Sequence, residues 1–582
     1  MRGESGEKVN PHFGLAAPFF NSHFSILNLV LLFLFCACTA TSAPSVTFQQ
    51  SATRVDRFDF IEVTLRISSP PAGNPFTGAE VTGEFAPEGG NTLKVDGFCD
   101  SDDGSVFRIR FMPAKEGRHH YTVTYRRGGA EEKHSGSFIV RQGNRKGPVR
   151  VDREHPFHFV WEGTGEHFFW NSTTTYALIG WRDDKIIRES IDRLAILKVN
   201  RLRAAIIPPR VKGGAQWFEP TVTNDAHFTF CVNAWPAARP DSVDDPGFDT
   251  SRFNLAHWQK LERLLAHARK RDVIISVIFY VDGRLPGVDP FRHERMGGED
   301  EQRYYRYAAA RFAAFANVMW DVANEYRLFR NDAWAEQMGS FLKECDPYDH
   351  LTSVHGHGTF NFRKSPWADF AMYQSWDEHG GYQFMLKNRE EQVKLGRPIP
   401  QVNEEYGYED HYPGQWGEGR KKPARSAENR RRLAWEMAMA GGYQTTGERA
   451  NVVGYGGWIN GRGNKEMTML DGYANLQKFF ERLEWWKLEP TPQAVVQGNA
   501  LCLTGAWTWV IYMPQGGQVI VNVPVAKFPL KVCSYNPRTG ALKSAGTLQW
   551  ESDRRGGWRS PMLPDGEDGV FLISPPRLFR KK

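Results

Sequence analysis

Cysteine is scarce in this chain and nowhere spaced as a cluster. Cys36 and Cys38 fall in an N-terminal apolar run. The rest (Cys99, Cys231, Cys345, Cys502 and Cys533) are odd in number and widely scattered. Without a Cys-x-x-Cys pair, neither a disulfide framework nor a zinc site is implied, and these residues read as small buried hydrophobes. An excess of charge of one sign is also missing. Against 73 basic side chains stand 67 acidic ones, and the only basic clusters are short: Arg420-Lys421-Lys422, Arg430-Arg431-Arg432 and Arg580-Lys581-Lys582. A nucleic-acid partner would ask for a concentrated basic stripe, so none is expected. Long apolar runs are confined to one place. Phe24 to Ala43, FSILNLVLLFLFCACTATSA, is too short to span a bilayer comfortably and ends in small residues, as a secretory leader does. In the stretch before it Arg2 and Lys8 are cancelled by Glu4 and Glu7, a departure from the usual basic flank. The expectation is export. The product is then secreted, periplasmic or, if the box Leu34 to Cys38 is acylated, lipid-anchored, with no integral span once residues 1–43 are removed. Internal repeats and a Gly-x-Ser-x-Gly elbow are absent too, which disfavours a solenoid and a serine hydrolase.

What the chain does have is size and aromatics. Its 582 residues exceed one ordinary core and ask for roughly two to four domains. Tryptophan, tyrosine and phenylalanine number 19, 19 and 39, a supply that suits stacking on sugar rings and equally suits large β-rich cores. Residues 45–142 show period-two runs such as Phe60 to Ile67 and Val106 to Phe111, separated by turn clusters, which predicts a β-sandwich. Residues 149–490 alternate apolar strands (Arg201 to Ile207, Val273 to Tyr280) with helical stripes. Ile187, Ile191, Leu194 and Leu197 form one stripe, and Trp334, Met338, Phe341, Leu342 and Cys345 form another. Asn254 and Asn331 stand at N-cap positions. Eight strands are expected near Phe168, Leu202, Ile275, Met319, Leu351, Ala371, Val402 and Gln444, which makes a (β/α)₈ TIM barrel. Strand patterns return over residues 493–576, for a second β-sandwich. The predicted fold class is therefore multidomain α/β plus β: a central barrel flanked by two sandwiches.

Barrels carry their working side chains at the C-terminal ends of strands. Strand four ends in Asn324-Glu325-Tyr326, and strand seven in Asn403-Glu404-Glu405-Tyr406-Gly407. Two carboxyls at a barrel mouth are what glycosidic chemistry needs, one a neutral acid and one an ionised nucleophile. Strand four ending in Asn-Glu and strand seven in Glu-aromatic-Gly resemble the retaining hydrolases of glycoside hydrolase clan A. That resemblance implies Glu325 as acid/base, Glu405 as nucleophile and Asn324 as a partner of the sugar 2-hydroxyl. Asn200-Arg201-Leu202-Arg203 resembles the clan's Asn-x-x-Arg and implies Arg203 as the cation that keeps the nucleophile ionised. Tyr373, ending strand six, is implied as a further partner of the nucleophile. A closer resemblance is to exported bacterial hydrolases with an immunoglobulin-like N-terminal domain and a C-terminal sandwich of a type labelled collagen-binding. It is carried by Phe168 to Thr173, Gly441 to Gly447 with Gly456-Gly457-Trp458, and Tyr535 to Gly540. One departure stands out: those relatives have Gly-Glu-Pro where this chain has Glu404-Glu405-Tyr406. Successive strand residues point to opposite faces, so only one of the two glutamates is expected in the pocket, and the Glu-Tyr-Gly pattern favours Glu405.

His355 and His357 invite either sugar contact or a metal, but no further ligands accompany them at other strand ends. Trp170, Trp376 and Trp458, near strand ends, are candidate stacking platforms. The functional expectation is a retaining glycoside hydrolase acting on a poly- or oligosaccharide without a cofactor. The alternative is a non-catalytic glycan-binding protein on the same scaffold. Sugar, linkage, cleavage mode and oligomeric state have no signature in the sequence.

Overall fold

The structure is a computed structural model that describes residues 45–211, 222–281, 283–410, 425–449, 455–463, 469–524, 526, 528–548 and 557–576. The leader, the lipoprotein-like box and the clusters at 420–422 and 580–582 lie outside the described residues.

Eight parallel strands form the central sheet: β1 (Asn171–Thr174), β2 (Arg201–Ile207), β3 (Ile274–Tyr280), β4 (Val318–Asp321), β5 (Thr352–Ser353), β6 (Ala371–Gln374), β7 (Gln401–Glu405) and β8 (Tyr443–Thr446). Their order is β5-β4-β3-β2-β1-β8-β7-β6, and every neighbouring pair is parallel. Between β5 and β6 no ladder forms, but Asp369 N donates to Thr352 O at 2.9 Å and Ser353 Oγ to Phe370 O at 2.6 Å, which all but closes the ring. The apolar runs of β2 and β3 are buried at every position, as parallel strands covered by helices must be. The helix Asp184–Ile196 turns Ile187, Ile191 and Leu194 to the core, and Asp332–Cys345 turns Trp334, Met338 and Leu342. The Asn331 side chain caps the second of these by accepting from Trp334 N at 2.9 Å. Asn254 stands at the N-cap of Leu255–Arg269, but its amide donates to Asn233 O at 2.8 Å instead.

One expected strand is displaced. Phe168 is not in the barrel: His167–Phe168 pairs antiparallel with Phe159–Trp161, which pairs in turn with Val149–Val151. The barrel strand begins three residues later, at Asn171. The barrel strand is Asn-Ser-Thr-Thr, buried but wholly polar, so an apolar pattern points to the neighbouring aromatic Phe168 instead.

Residues 46–141 form two sheets over a shared core, in which Phe85 of one stacks on Phe111 of the other at 4.5 Å. Residues 489–574 form a second two-sheet unit around Trp509, Val521, Trp558 and Phe571. Charged clamps hold both to the barrel. Arg311, fully buried, donates to Asp100 at 2.7 Å and lies 2.7 Å from Glu262. Arg110 donates to Glu262 at 2.6 Å and to Arg311 O at 2.9 Å. On the other side Arg431 donates to Asp568 at 2.7 Å, and Trp435 stacks on Tyr512 at 5.3 Å.

Candidate active site

The inside of the barrel is polar at its waist. Arg201 stands there with one guanidinium nitrogen 2.7 Å from Glu404 Oε2 and 3.2 Å from both Ser172 Oγ and Thr445 Oγ1; its other terminal nitrogen is 2.7 Å from Ser276 Oγ. Its guanidinium lies 4.1 Å above the Trp170 ring, which floors this layer. Arg201, Arg203, Asp321 and Glu404 are all wholly buried. Charges so far from water require full pairing, and the two cations and two carboxylates here supply it. Trp170 is therefore not a sugar platform: it is buried at the entrance to β1, stacked on Phe159, with Nε1 donating to Thr445 Oγ1 at 3.1 Å.

One layer higher, Arg203 ties the waist to the mouth. It donates to Asp321 Oδ2 at 2.7 Å, to Asn324 Oδ1 at 2.9 Å and to the Tyr176 hydroxyl at 3.2 Å. Burial pushes the Asp321 carboxyl up to about 6 although Arg203 pulls it down. Asn324 Oδ1 also accepts from His355 Nδ1 at 2.6 Å. Burial first, and then the neighbouring cation Arg203, hold the His355 imidazole well below its usual range, so it is neutral and Nδ1 carries the proton. With its oxygen claimed by these donors, Asn324 must turn its amide N–H groups toward Glu325, whose Oε2 is 3.4 Å away.

Glu325 itself sits at φ +49°, in the left-handed region that a non-glycine residue rarely occupies. The backbone on either side is pinned: Asn324 N donates to Tyr280 O at 2.9 Å and Tyr326 N to His355 O at 3.2 Å. Strain held in this way aims the carboxyl at a fixed point. Gln374 Nε2, from the end of β6, donates to Glu325 Oε1 at 3.1 Å, and Gln374 Oε1 faces His357 Nδ1 at 3.0 Å.

Opposite stands Glu405. Its Oε2 accepts from the Tyr176 hydroxyl at 3.2 Å, and that hydroxyl lies 3.1 Å from the hydroxyl of Tyr408. Trp458 stacks on the Tyr408 ring at 4.4 Å and 4° and meets Tyr176 edge-on at 6.2 Å. The close approach depends on Gly447, where a Cβ would come within 2.1 Å of that of Trp458. Burial above all, and next the Glu325 carboxylate, push Glu405 up to about 8; Arg203 and the hydroxyls of Tyr408 and Tyr176 pull the other way. The carboxyl pair therefore retains a proton at neutral pH, and that proton belongs to both groups together.

Glu404 and Glu405 both point inward, but at different levels, and only Glu405 stands at the mouth. The β6–β7 register shifts between Tyr373 and Gln374, so that Gln374 lies opposite Glu405 and Glu404 is skipped. Glu404 points into the waist toward Arg201, and Glu405 reaches the mouth at the strand end, one level up. Tyr373, paired with Asn403 before the shift, is not in the site. Its hydroxyl receives Arg363 at 3.3 Å and its ring meets Phe384 edge-on, while its neighbour Gln374 turns toward Glu325. Tyr176, Tyr408 and Gln374 occupy the ground that the sequence reading gave to Tyr373. Two of them lie just beyond strand ends, and only the register shift brings the third inward. His355 is buried behind Asn324 with no exposed surface, so it faces neither solvent nor sugar. Trp376 meets the Tyr408 ring edge-on at 5.9 Å and carries Arg425 over its face at 4.8 Å. Among the described residues no group of three or more His, Cys, Asp or Glu is arranged to hold a metal ion, and no helix is long and apolar enough to cross a membrane.

Residues 158–447 match the profile of a family described as "Apiosidase-like, catalytic domain", and residues 54–126 match a "Domain of unknown function (DUF5060)". No curated protein matches the chain. A Bacteroides vulgatus crystal structure designated a glycoside hydrolase superposes with a TM-score of 0.72 at 22% identity, covering 90% of this chain and all of the other. A second structure named glycoside hydrolase gives 0.56 at 16% identity over 74% of this chain and 98% of its own. A Bacteroides vulgatus family 5 glycoside hydrolase gives 0.56 at 15% identity over 74% and 93%. At these identities the likeness is one of fold: a barrel with sheet-rich flanks, of a kind found among glycoside hydrolases.

Proposed function

We propose that this chain is a retaining glycoside hydrolase in which Glu405 is the nucleophile and Glu325 the acid/base. The observation that carries the reading is the pair itself. Two carboxyls from different strand ends meet at the barrel mouth, near enough for one to raise the proton affinity of the other, and hydrogen-bond donors surround both. In the first step a Glu405 oxygen attacks the anomeric carbon. The glycosidic C–O bond breaks, the leaving oxygen takes the proton of Glu325, and an ester links sugar to Glu405. Attack leaves Glu325 ionised beside the Asn324 and Gln374 amides. In the second step a water attacks the anomeric carbon, its proton goes to Glu325, and the ester opens to restore the Glu405 carboxylate. Arg203 and the two tyrosine hydroxyls favour that carboxylate electrostatically, which lowers the barrier to its departure.

The matching profile's name makes an apiosyl glycoside the first substrate to try. The apolar leader supports action outside the cytoplasm, on a poly- or oligosaccharide.

The test is a panel of aryl glycosides, apiosides included, followed by proton NMR of the first-formed anomer. Retention with loss of turnover in both Glu405→Gln and Glu325→Gln is expected. An inverted first product, or full activity in either variant, would overturn the assignment.

A further inference from the structure

Glu301 is wholly buried and plays no part in the two steps above. It stands in the first turn of the helix Glu299–Phe312, and its two oxygens divide their partners. Oε2 accepts from Gly297 N at 2.5 Å and from Trp334 Nε1 at 3.1 Å, bonds that settle its own helix start against the helix Asp332–Cys345. Oε1 accepts from the Tyr280 hydroxyl at 2.8 Å and from Arg330 Nη2 at 3.2 Å. Those two residues hold opposite ends of the acid/base turn. Tyr280 ends β3, and its carbonyl accepts from Asn324 N at 2.9 Å, just before Glu325. Arg330 N donates to Tyr326 O at 2.7 Å, just after it. A single oxygen thus closes a ring of hydrogen bonds around the residue whose φ is +49°. The Arg203 and His355 side chains grip only the Asn324 amide, whereas this ring acts on the backbone.

We propose that Glu301 is a positioning residue for Glu325, bracing both flanks of the strained turn that aims the acid/base. The inference rests on the reading of Glu325 as acid/base. A non-glycine residue at positive φ relaxes unless its flanks over-determine it, and relaxation here swings the carboxyl away from Gln374 and the leaving oxygen. The strain of one such residue and the strength of one hydrogen bond are of the same order, so the loss of a brace decides whether the turn holds. Charge does not require Glu301 to stay. Arg330 keeps Asp289, at 2.5 and 2.8 Å, when Glu301 is replaced by an apolar side chain. Glu301→Leu therefore removes the ring and leaves the buried cation paired. Glu301→Gln is the complementary change. Its single oxygen is drawn to the Arg330 cation and the Tyr280 hydroxyl, so the ring survives, while the N–H groups of Gly297 and Trp334 lose their acceptor.

The experiment compares kcat/KM on dinitrophenyl and phenyl glycosides of the sugar that the wild type cleaves, together with crystal structures of the same full-chain variants. A dinitrophenolate leaves without a proton, whereas a phenolate needs the acid, so the ratio of the two rates reports the aim of Glu325. In Glu301→Leu the phenyl rate is expected to fall about tenfold or more relative to the dinitrophenyl rate. In Glu301→Gln the ratio is expected to stay within about twofold of the wild type, although both variants lose stability. In the crystals Glu325 leaves the left-handed region and its contact with Gln374 in Glu301→Leu and keeps both in Glu301→Gln. Tyr280→Phe, which cuts the same ring at another link, takes over both readouts if Glu301→Leu does not fold. A wild-type ratio or an unmoved Glu325 in Glu301→Leu overturns the inference. So does a ratio in Glu301→Gln shifted as far as that of Glu301→Leu, since the effect then follows lost stability and not the ring. Glu325→Gln with a wild-type ratio refutes the functional reading alone, and the crystal structures judge the brace even where no glycoside is cleaved.

Discussion

Glu404 and Glu405 are adjacent in sequence and live in opposite electrostatic worlds. At the waist Glu404 has Arg201 at 2.7 Å and Arg203 at 3.8 Å. There charge is balanced: Arg201, Arg203, Glu404 and Asp321 neutralise one another. At the mouth Glu405 has phenol hydroxyls for partners and another carboxyl for an opponent, and the pair holds a proton up to about 8. The difference teaches where to look for chemistry. A buried carboxyl whose charge is fully compensated holds structure, whereas one whose charge is left in contention is available for proton transfer and attack. Register decides which is which, since a one-residue skip in the β6–β7 pairing lifts Glu405 to the rim.

The largest expected effects come from exchanging the two roles. Glu405→Gln should lower kcat by roughly 10⁴-fold or more, because no nucleophile remains, while the fold persists. Glu404→Gln should act the other way, costing about 3–5 kcal/mol of stability by leaving Arg201 without its anion in the waist. Urea unfolding and steady-state rates on both variants give the comparison. A stable, inactive Glu404→Gln beside an active Glu405→Gln would reverse the assignment of waist and mouth.

How far this contrast was legible beforehand depends on the kind of signal. The barrel follows from the alternation of apolar strands with helical stripes, and seven of the eight barrel strands include the residue where the pattern put them or lie within one residue of it. The first falls at Asn171–Thr174 and not at Phe168, because that barrel strand is polar throughout and the apolar signal lies in the antiparallel strand just before it. Asn324, Glu325 and Glu405 are visible as strand-end residues and Arg203 through the Asn-x-x-Arg resemblance, and the structure brings the four together. Tyr176, Tyr408 and Gln374 were not. The two tyrosines come from segments beyond the strands, where no periodicity marks direction. On strand six it is Gln374, the neighbour of Tyr373, that turns to the mouth. Trp170 and Trp458 show the same limit: of two candidate platforms, one floors the waist and the other, on the helix Gly457–Asn460, stacks at the mouth.

The charge contest at the mouth should also appear in the pH dependence of stability. A carboxyl raised from 4.5 to about 8 on folding means that the native state holds a proton which the unfolded chain has lost. Its stabilising contribution is complete below about pH 4.5 and fades as pH rises through 8. Between pH 5 and 7 the loss is on the order of 2–3 kcal/mol. Glu405→Gln abolishes that slope. Thermal unfolding of the two proteins across this range should therefore converge toward low pH and separate in favour of the variant as pH rises. Parallel curves would mean that the mouth carries no such contest.

The finest distinction is between tyrosines. Tyr176 and Tyr408 act on Glu405, and Tyr373, though on the adjoining strand, acts on Arg363. A hydrogen bond to a charged group contributes about 1.5–3 kcal/mol, so Tyr176→Phe should slow turnover by roughly 10- to 100-fold. Tyr408→Phe should fall in the same range, because its hydroxyl and that of Tyr176 support each other at 3.1 Å. Part of each loss should lie in the breakdown of the ester, where Glu405 departs as an anion. Rapid-quench trapping of the glycosyl-enzyme would show it as accumulation of the covalent form. Tyr373→Phe should change turnover by less than about twofold and instead cost about 1.5–3 kcal/mol of stability, since its hydroxyl bonds the Arg363 cation and not Glu405. A Tyr373→Phe variant as slow as Tyr176→Phe would show that strand six reaches Glu405 during turnover, and the boundary drawn at Gln374 would have to move.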